Sequence, residues 1–131
     1  MATTKWREGN RARWVGIRPG HNGEQVQGSG SKSNGYDNLY TVGAGKVLFV
    51  FNWWMTTHAT GAGSGYIRVQ NTVPNLVAVF CRHAYTAAGS LSTCSGRFVP
   101  WEVPEGYTVE VYSSVAAVSV YGGFDGILID A

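Results

Sequence analysis

Charge is scarce in this sequence. Lys, Arg, Asp and Glu make up only 14% of its 131 residues, where a soluble domain typically carries about a quarter. So thin a charge leaves much of the surface uncharged, which points to a region covered by a partner. No apolar run approaches the roughly 18 residues that a membrane-crossing helix needs. The basic residues near the start are not followed by an apolar core, so the segment does not read as a secretory signal. Two cysteines, Cys81 and Cys94, are too few for a disulfide framework; they could pair if they lie on adjacent strands, which assembly in a cytoplasm disfavours.

Groups able to do chemistry are equally sparse. The three histidines, His21, His58 and His83, show no metal-ligand spacing. Cys81 and His83 on one strand make a two-residue seed that Cys94 could extend, short of the four ligands zinc requires. Acid/base catalysis on glycosides needs paired carboxylates. Here Glu105 falls in a turn, Glu102 and Glu110 read as solvent-facing, and Asp37, Asp125 and Asp130 stand apart. The loop from Gly61 to Gly65 lacks the strand-to-helix setting of a nucleophile elbow. Gly28-Ser29-Gly30 lacks the Lys-Ser/Thr ending of a phosphate loop. These absences lead to an expectation of no enzyme, no cofactor and no metal.

What the chain does have is glycine, 18 residues, and aromatic side chains, 13%. It is organised around Phe98 to Tyr112. Val99, Trp101 and Val103 alternate with Pro100 and Glu102, and Tyr107, Val109 and Val111 alternate with Thr108 and Glu110. A period of two is that of a half-buried strand. Val103-Pro104-Glu105-Gly106 between them fits a type I turn. Further strands are expected at Asn38–Val42, Lys46–Thr57, Tyr66–Asn71, Asn75–Thr86, Val115–Tyr121 and Phe124–Asp130, with Gly122-Gly123 separating the last two. Ala87 to Gly96 reads as a small-residue loop. No stretch reads as a helix. About eight short strands with turn signals predict an all-β, jelly-roll-like sandwich of antiparallel strands.

The start of the chain differs from the rest. Residues 1–35 hold six basic and two acidic side chains, a balance of +4, and residues 36–131 hold four and six, a balance of −2. Residues 1–35 are therefore read as a basic N-terminal arm and linker, with 19–35 too rich in Gly, Ser and Asn to form a core, and residues 36–131 as the sandwich domain. Lys5, Trp6, Arg7, Arg11, Arg13, Trp14 and Arg18 combine anchoring rings with hydrogen-bonding forks, which suits docking on a partner; the other reading has the tryptophans cover the domain's own core. Six basic residues over 35 positions are too thin a footprint for nucleic acid.

The strand from Lys46 is apolar on both faces, Val47, Phe49, Phe51, Trp53 and Met55 against Leu48, Val50, Asn52 and Trp54, so it should be covered on both sides. Trp53 and Trp54 face opposite ways. One should enter the core and the other should meet a subunit or serve as a platform for a sugar ring.

Two segments echo each other. Leu39-Tyr-Thr-Val-Gly-Ala-Gly-Lys-Val-Leu-Phe-Val50 and Phe98-Val-Pro-Trp-Glu-Val-Pro-Glu-Gly-Tyr-Thr-Val-Glu-Val111 both run strand, glycine turn, strand, and the chain closes on Val118-Ser-Val-Tyr-Gly-Gly-Phe-Asp-Gly-Ile-Leu-Ile129. Over residues 38–130 this resembles the small jelly-roll proteins of tailed-phage virions: capsid decoration proteins, head fibres and tail or baseplate appendages. The resemblance implies a non-enzymatic structural protein, frequently trimeric. Such a protein is made in the host cytoplasm, carried on the virion, and attached to the major capsid or tail protein of the same particle. The competing expectation is a carbohydrate-binding module or receptor-binding head that holds a glycan on its aromatics.

Overall fold

The computed structural model describes residues 23–71 and 76–131, with the side chains of 76–77, 90–94 and 97–99 excepted. These residues form eight strands: β1 (Glu24–Ser33), β2 (Gly35–Thr41), β3 (Lys46–Ala59), β4 (Gly63–Gln70), β5 (Leu76–Tyr85), β6 (Gly89–Val103), β7 (Thr108–Ser113) and β8 (Val118–Asp130). They make two four-stranded sheets, ordered β1-β8-β3-β6 and β2-β7-β4-β5. First pairs with last, second with seventh, third with sixth and fourth with fifth, all antiparallel. The chain is thus one long hairpin folded at β4–β5 and rolled into two layers, which is the jelly-roll winding.

Apart from β4–β5, every connection crosses between the layers, and this corrects the reading of Phe98–Tyr112 as one hairpin. β6 lies in one sheet and β7 in the other. The echo in the sequence is a pair of neighbouring corners. Lys46 donates its amide to the Gly43 carbonyl and Tyr107 to that of Pro104, so each turn has glycine at its third position, Gly45 with φ 74° and Gly106 with φ 81°. A positive φ there marks a type II geometry that glycine adopts without strain, one residue on from the expected type I turn. The corners are stitched together: the Val42 amide donates to the Tyr107 carbonyl, the Gly106 amide to that of Val42, and the Gly45 amide to Glu105 Oε1 at 3.1 Å.

The expected count of eight strands is met, but by different strands. Residues 24–33, read as linker, are β1, paired along its length with β8 from Glu24↔Leu128 to Ser33↔Ser119. The sandwich therefore begins before residue 36. Val26 enters the core, and Gly28 stands where the sheets close up: a Cβ added there would lie 2.7 Å from Phe124 Cε1 and 2.8 Å from the Leu39 carbonyl oxygen. Small residues in β1 are what the close approach demands. Conversely, Gly122-Gly123 do not break the chain but lie inside the single strand β8, and much of the expected loop at 87–96 belongs to β6.

The core lies between the sheets. Leu48, Val50, Val69, Val103, Val109 and Phe124 form one cluster, and Met55, Ile67, Val111, Val118 and Val120 the other. Each such side chain contributes about 1.5–3 kcal/mol by leaving water. On β3 the inward set changes from Leu48 and Val50 to Trp53, Met55 and Thr57, because the register slips between Val50 and Asn52 against both neighbours. A bulge inserts a residue and reverses which side faces in. Val47 and Phe49 therefore face away from Trp53 and Met55, not with them as strict alternation predicts. Cys81 is disulfide-bonded, the less favoured of the two states that the sequence left open. Its strand β5 and β6, which carries Cys94, are the edge strands at the same open side of the sandwich.

Candidate functional site

Lys5, Trp6, Arg7, Arg11, Arg13, Trp14 and Arg18 lie outside the described residues. Of the expected platform pair, Trp53 turns inward and stacks on Phe80, centroids 6.1 Å apart and planes 11° from parallel. Its indole Nε1 is buried with no hydrogen-bond partner. Trp54 turns outward, edge-on to Tyr121 at 5.1 Å and 63°.

The outward face of the β1-β8-β3-β6 sheet falls into two halves at the bulge. One half is polar and centred on Trp54. Register places Ser29, Gly123, Trp54 and Ser95 in one row across the four strands, and Gln27, Asp125 and Asn52 in the next. Shallow clefts flank Trp54. One of about 430 Å³ is lined by Gln27, Ser29, Trp54 and Asp125 among others, and one of about 320 Å³ by Asn52, Trp54, Ser95 and Asp125 among others. Asn52 Nδ2 donates to Asp125 Oδ2 at 3.4 Å. A ring that can lie against an apolar face, ringed by amide, hydroxyl and carboxylate groups, is chemistry suited to a small polyhydroxylated ligand.

The other half is apolar and covered. Phe49 pairs with Ile127 and with Glu102, and Val47 with Ile129. Alternation turns Val47, Phe49, Glu102 and Ile127 away from the core, yet they are 3%, 1%, 8% and 5% exposed. All eight described strands lie within the two sheets, so none lies over this face. β1 begins at its margin: a Cβ added at Gly23 would collide with Ile127 Cγ2.

The outward face of the β2-β7-β4-β5 sheet carries a cluster that the sequence reading missed. Tyr36, Tyr112, Tyr66 and Arg82 stand in register across it. Arg82 Nε donates to Tyr66 Oη at 3.0 Å. In the next row Arg68 Nε donates to Glu110 Oε2 at 2.7 Å, with its guanidinium 3.9 Å from the Tyr112 ring centroid. Burial raises the Glu110 carboxyl above the ordinary glutamate range, while the hydrogen bond and charge of Arg68 pull it down. Glu102 and Glu110 do face outward as expected, but both are buried rather than solvated. The tyrosines sit in three separate strands, and only the register brings them together.

The Cys81–His83 seed is no metal site. Cys81 is in a disulfide, and His83 Nδ1 hydrogen-bonds Thr57 Oγ1 at 2.9 Å. Among the described residues, no three His, Cys, Asp or Glu side chains converge to hold a metal. Two further carboxylates make contacts of their own: Glu105 staples the corner turns, and Asp130 pairs with Lys46 at 2.6 Å on the surface. That contact raises the Lys46 amine and lowers the Asp130 carboxyl from their ordinary values.

No protein-family model and no curated protein matches the sequence. Solved structures are similar to this chain at a distance. A pentameric capsid protein from metagenomic phage sequences aligns over 99% of this chain and 73% of that one, at 15% identity and a TM-score of 0.46. The coat protein of Tobacco streak virus aligns over 88% and 92%, at 10% identity and 0.43. The xylohexaose-complexed modules of an endo-1,4-β-D-xylanase from Clostridium thermocellum align over 82% of this chain and 25% of that one, at 10% and 0.37. The similarity is thus distant, to viral capsid proteins and to other β-sandwich proteins.

Proposed function

We propose that this chain is a non-enzymatic structural protein of a virion, a capsid decoration or appendage subunit that attaches to the major capsid or tail protein through its basic N-terminal arm. The observation that carries the reading is the jelly-roll winding, two four-stranded antiparallel sheets with the first strand paired to the last, which is the fold that the sequence resemblance implies. The virion setting comes from the sequence resemblance over residues 38–130, and the basic, Trp-bearing start supplies the contact to the larger particle. Self-association, with a trimer favoured, fits the same reading. Mass spectrometry of particles purified from the source of this chain should find it in fixed stoichiometry with the shell or tail protein. Its absence from washed particles would overturn the proposal.

The Trp54 clefts favour a second reading, a glycan-binding head. Titration with a panel of oligosaccharides should then shift tryptophan fluorescence in the intact protein and leave it unmoved in Trp54→Ala. An unmoved signal in both would remove this reading.

A further inference from the structure

We propose that the Trp54 site takes a linear, uncharged glycan of at least two pyranose residues, β-1,4-linked with every ring hydroxyl equatorial. The glycan lies across the strands with one ring flat on the indole. This rests on the glycan-binding reading above and says which glycans the site takes. The floor decides the shape of the sugar. Gly123 has no side chain, and a Cβ there would lie 2.5 Å from Trp54 Cζ2 and 2.8 Å from Cε2. The indole therefore lies down over β8, with Tyr121 beside it at 63° to its plane. A pyranose matches such a floor when its hydroxyls are all equatorial, because its C–H bonds then point at the indole. An axial hydroxyl on that side would be pressed against the indole and lose its hydrogen bonds. Equatorial hydroxyls point sideways, and the polar residues stand beside the indole in the sheet. Ser29 and Ser95 end its own row, and Gln27, Asp125 and Asn52 make the next.

The clefts decide its length and charge. The cleft of about 430 Å³ lies on the β1 side, with Gln27 and Ser29. The cleft of about 320 Å³ lies on the β6 side, with Asn52 and Ser95. Trp54 and Asp125 line both. Ser29 and Ser95 are three strand spacings apart, about 14 Å, more than one sugar ring covers. Two linked rings fill both clefts and leave the Asp125 carboxylate near the linkage, where it accepts hydroxyls from either ring. β-1,4 linkages through equatorial bonds keep successive rings extended, as a flat sheet face requires. By register Arg97 holds the fourth place of the Asp125 row. That row therefore carries one acid and one base, and no net charge selects a sugar acid or an amino sugar.

The test is an NMR titration of the full chain with methyl β-D-glucopyranoside, cellobiose and cellotriose. Affinity should rise from the single ring to the disaccharide. Methyl β-D-galactopyranoside, which differs by one axial hydroxyl, should bind more weakly than the glucoside. Trp54→Ala should weaken every member of the series roughly tenfold. Gln27→Ala and Ser95→Ala, both on edge strands, should each weaken the longer sugars about fivefold. Each should leave the methyl glucoside unchanged, and these two variants keep the test decisive should Trp54→Ala not fold. Equal affinity for the methyl glucoside and cellotriose, or equal losses on both in the two edge variants, would overturn the two-ring site. Binding of other sugars of the oligosaccharide panel without this series would overturn the inference and leave the glycan reading standing. No response to any sugar would remove both.

Discussion

The outward face of the β1-β8-β3-β6 sheet is two surfaces joined at a bulge. Around Trp54 it is polar, open and cleft; around Phe49 it is apolar and closed. Both lie on β3, a few residues apart, and the slip at Val50/Asn52 separates them. The two outward glutamates make the same distinction. Glu110 is buried by its own sheet, under Arg68 and beside Tyr112. Glu102 is buried beside Phe49 on a face that no described strand covers. Outward direction on a strand therefore does not mean solvent: the cover can come from the same sheet or from outside both.

The largest expected effect sets the halves against each other. Phe49→Ala should cost about 3–5 kcal/mol, as for a core aromatic, and Trp54→Ala about 1 kcal/mol, as for a half-open site. Urea denaturation of both measures the gap, and equal losses would erase the distinction.

The glutamates give the next. Arg68→Ala strands the Glu110 carboxylate and should cost about 3 kcal/mol at neutral pH. Because the native carboxyl is raised above its unfolded value, the folded state holds its proton more tightly. The Glu110 contribution is then greatest below the unfolded value and is lost as pH rises through the folded one. The cost of Arg68→Ala should accordingly shrink on acidification, as the stranded group becomes neutral. A pH-independent cost would mean that Arg68 acts by packing.

Gly123→Val sharpens the open half. A Cβ at Gly123 would lie 2.5 Å from Trp54 Cζ2 and 2.7 Å from the Gly28 carbonyl oxygen, so the ring must move. We expect a loss of about 1–3 kcal/mol and a changed Trp54 fluorescence, with Phe49 still protected. The smallest effect belongs to Asp130→Asn, which removes a solvent-exposed ion pair and should leave the urea midpoint unmoved at moderate salt. A clear shift would mean that the pair does more than decorate the corner.

Much of the fold was legible from local rules. The glycine corners at Gly45 and Gly106 announce themselves, and Val109 and Val111 alternate cleanly into the core. What was not legible depends on partners far along the chain. β1 reads as linker because Gly28 is chosen by Phe124 and Leu39, remote in sequence. Phe51 gives no sign that a bulge beside it will turn Phe49 outward and Trp53 inward. Gly122-Gly123 reads as a break because it is seen without Trp54, whose ring lies over Gly123. For the site, adjacency alone put Trp53 and Trp54 on opposite faces. Which of the two faces out, and the row of Tyr36, Tyr112 and Tyr66, follow from register, which no single stretch carries.

The central claim is that one half of this sheet face is shut and the other open in the intact chain. Hydroxyl-radical footprinting of the full-length protein tests it within one molecule. The account predicts rapid oxidation at Trp54 and exposed Tyr121, with Phe49 and Ile127 as protected as core Phe124. Oxidation of Phe49 and Ile127 at the rate expected of solvent-exposed side chains would contradict it.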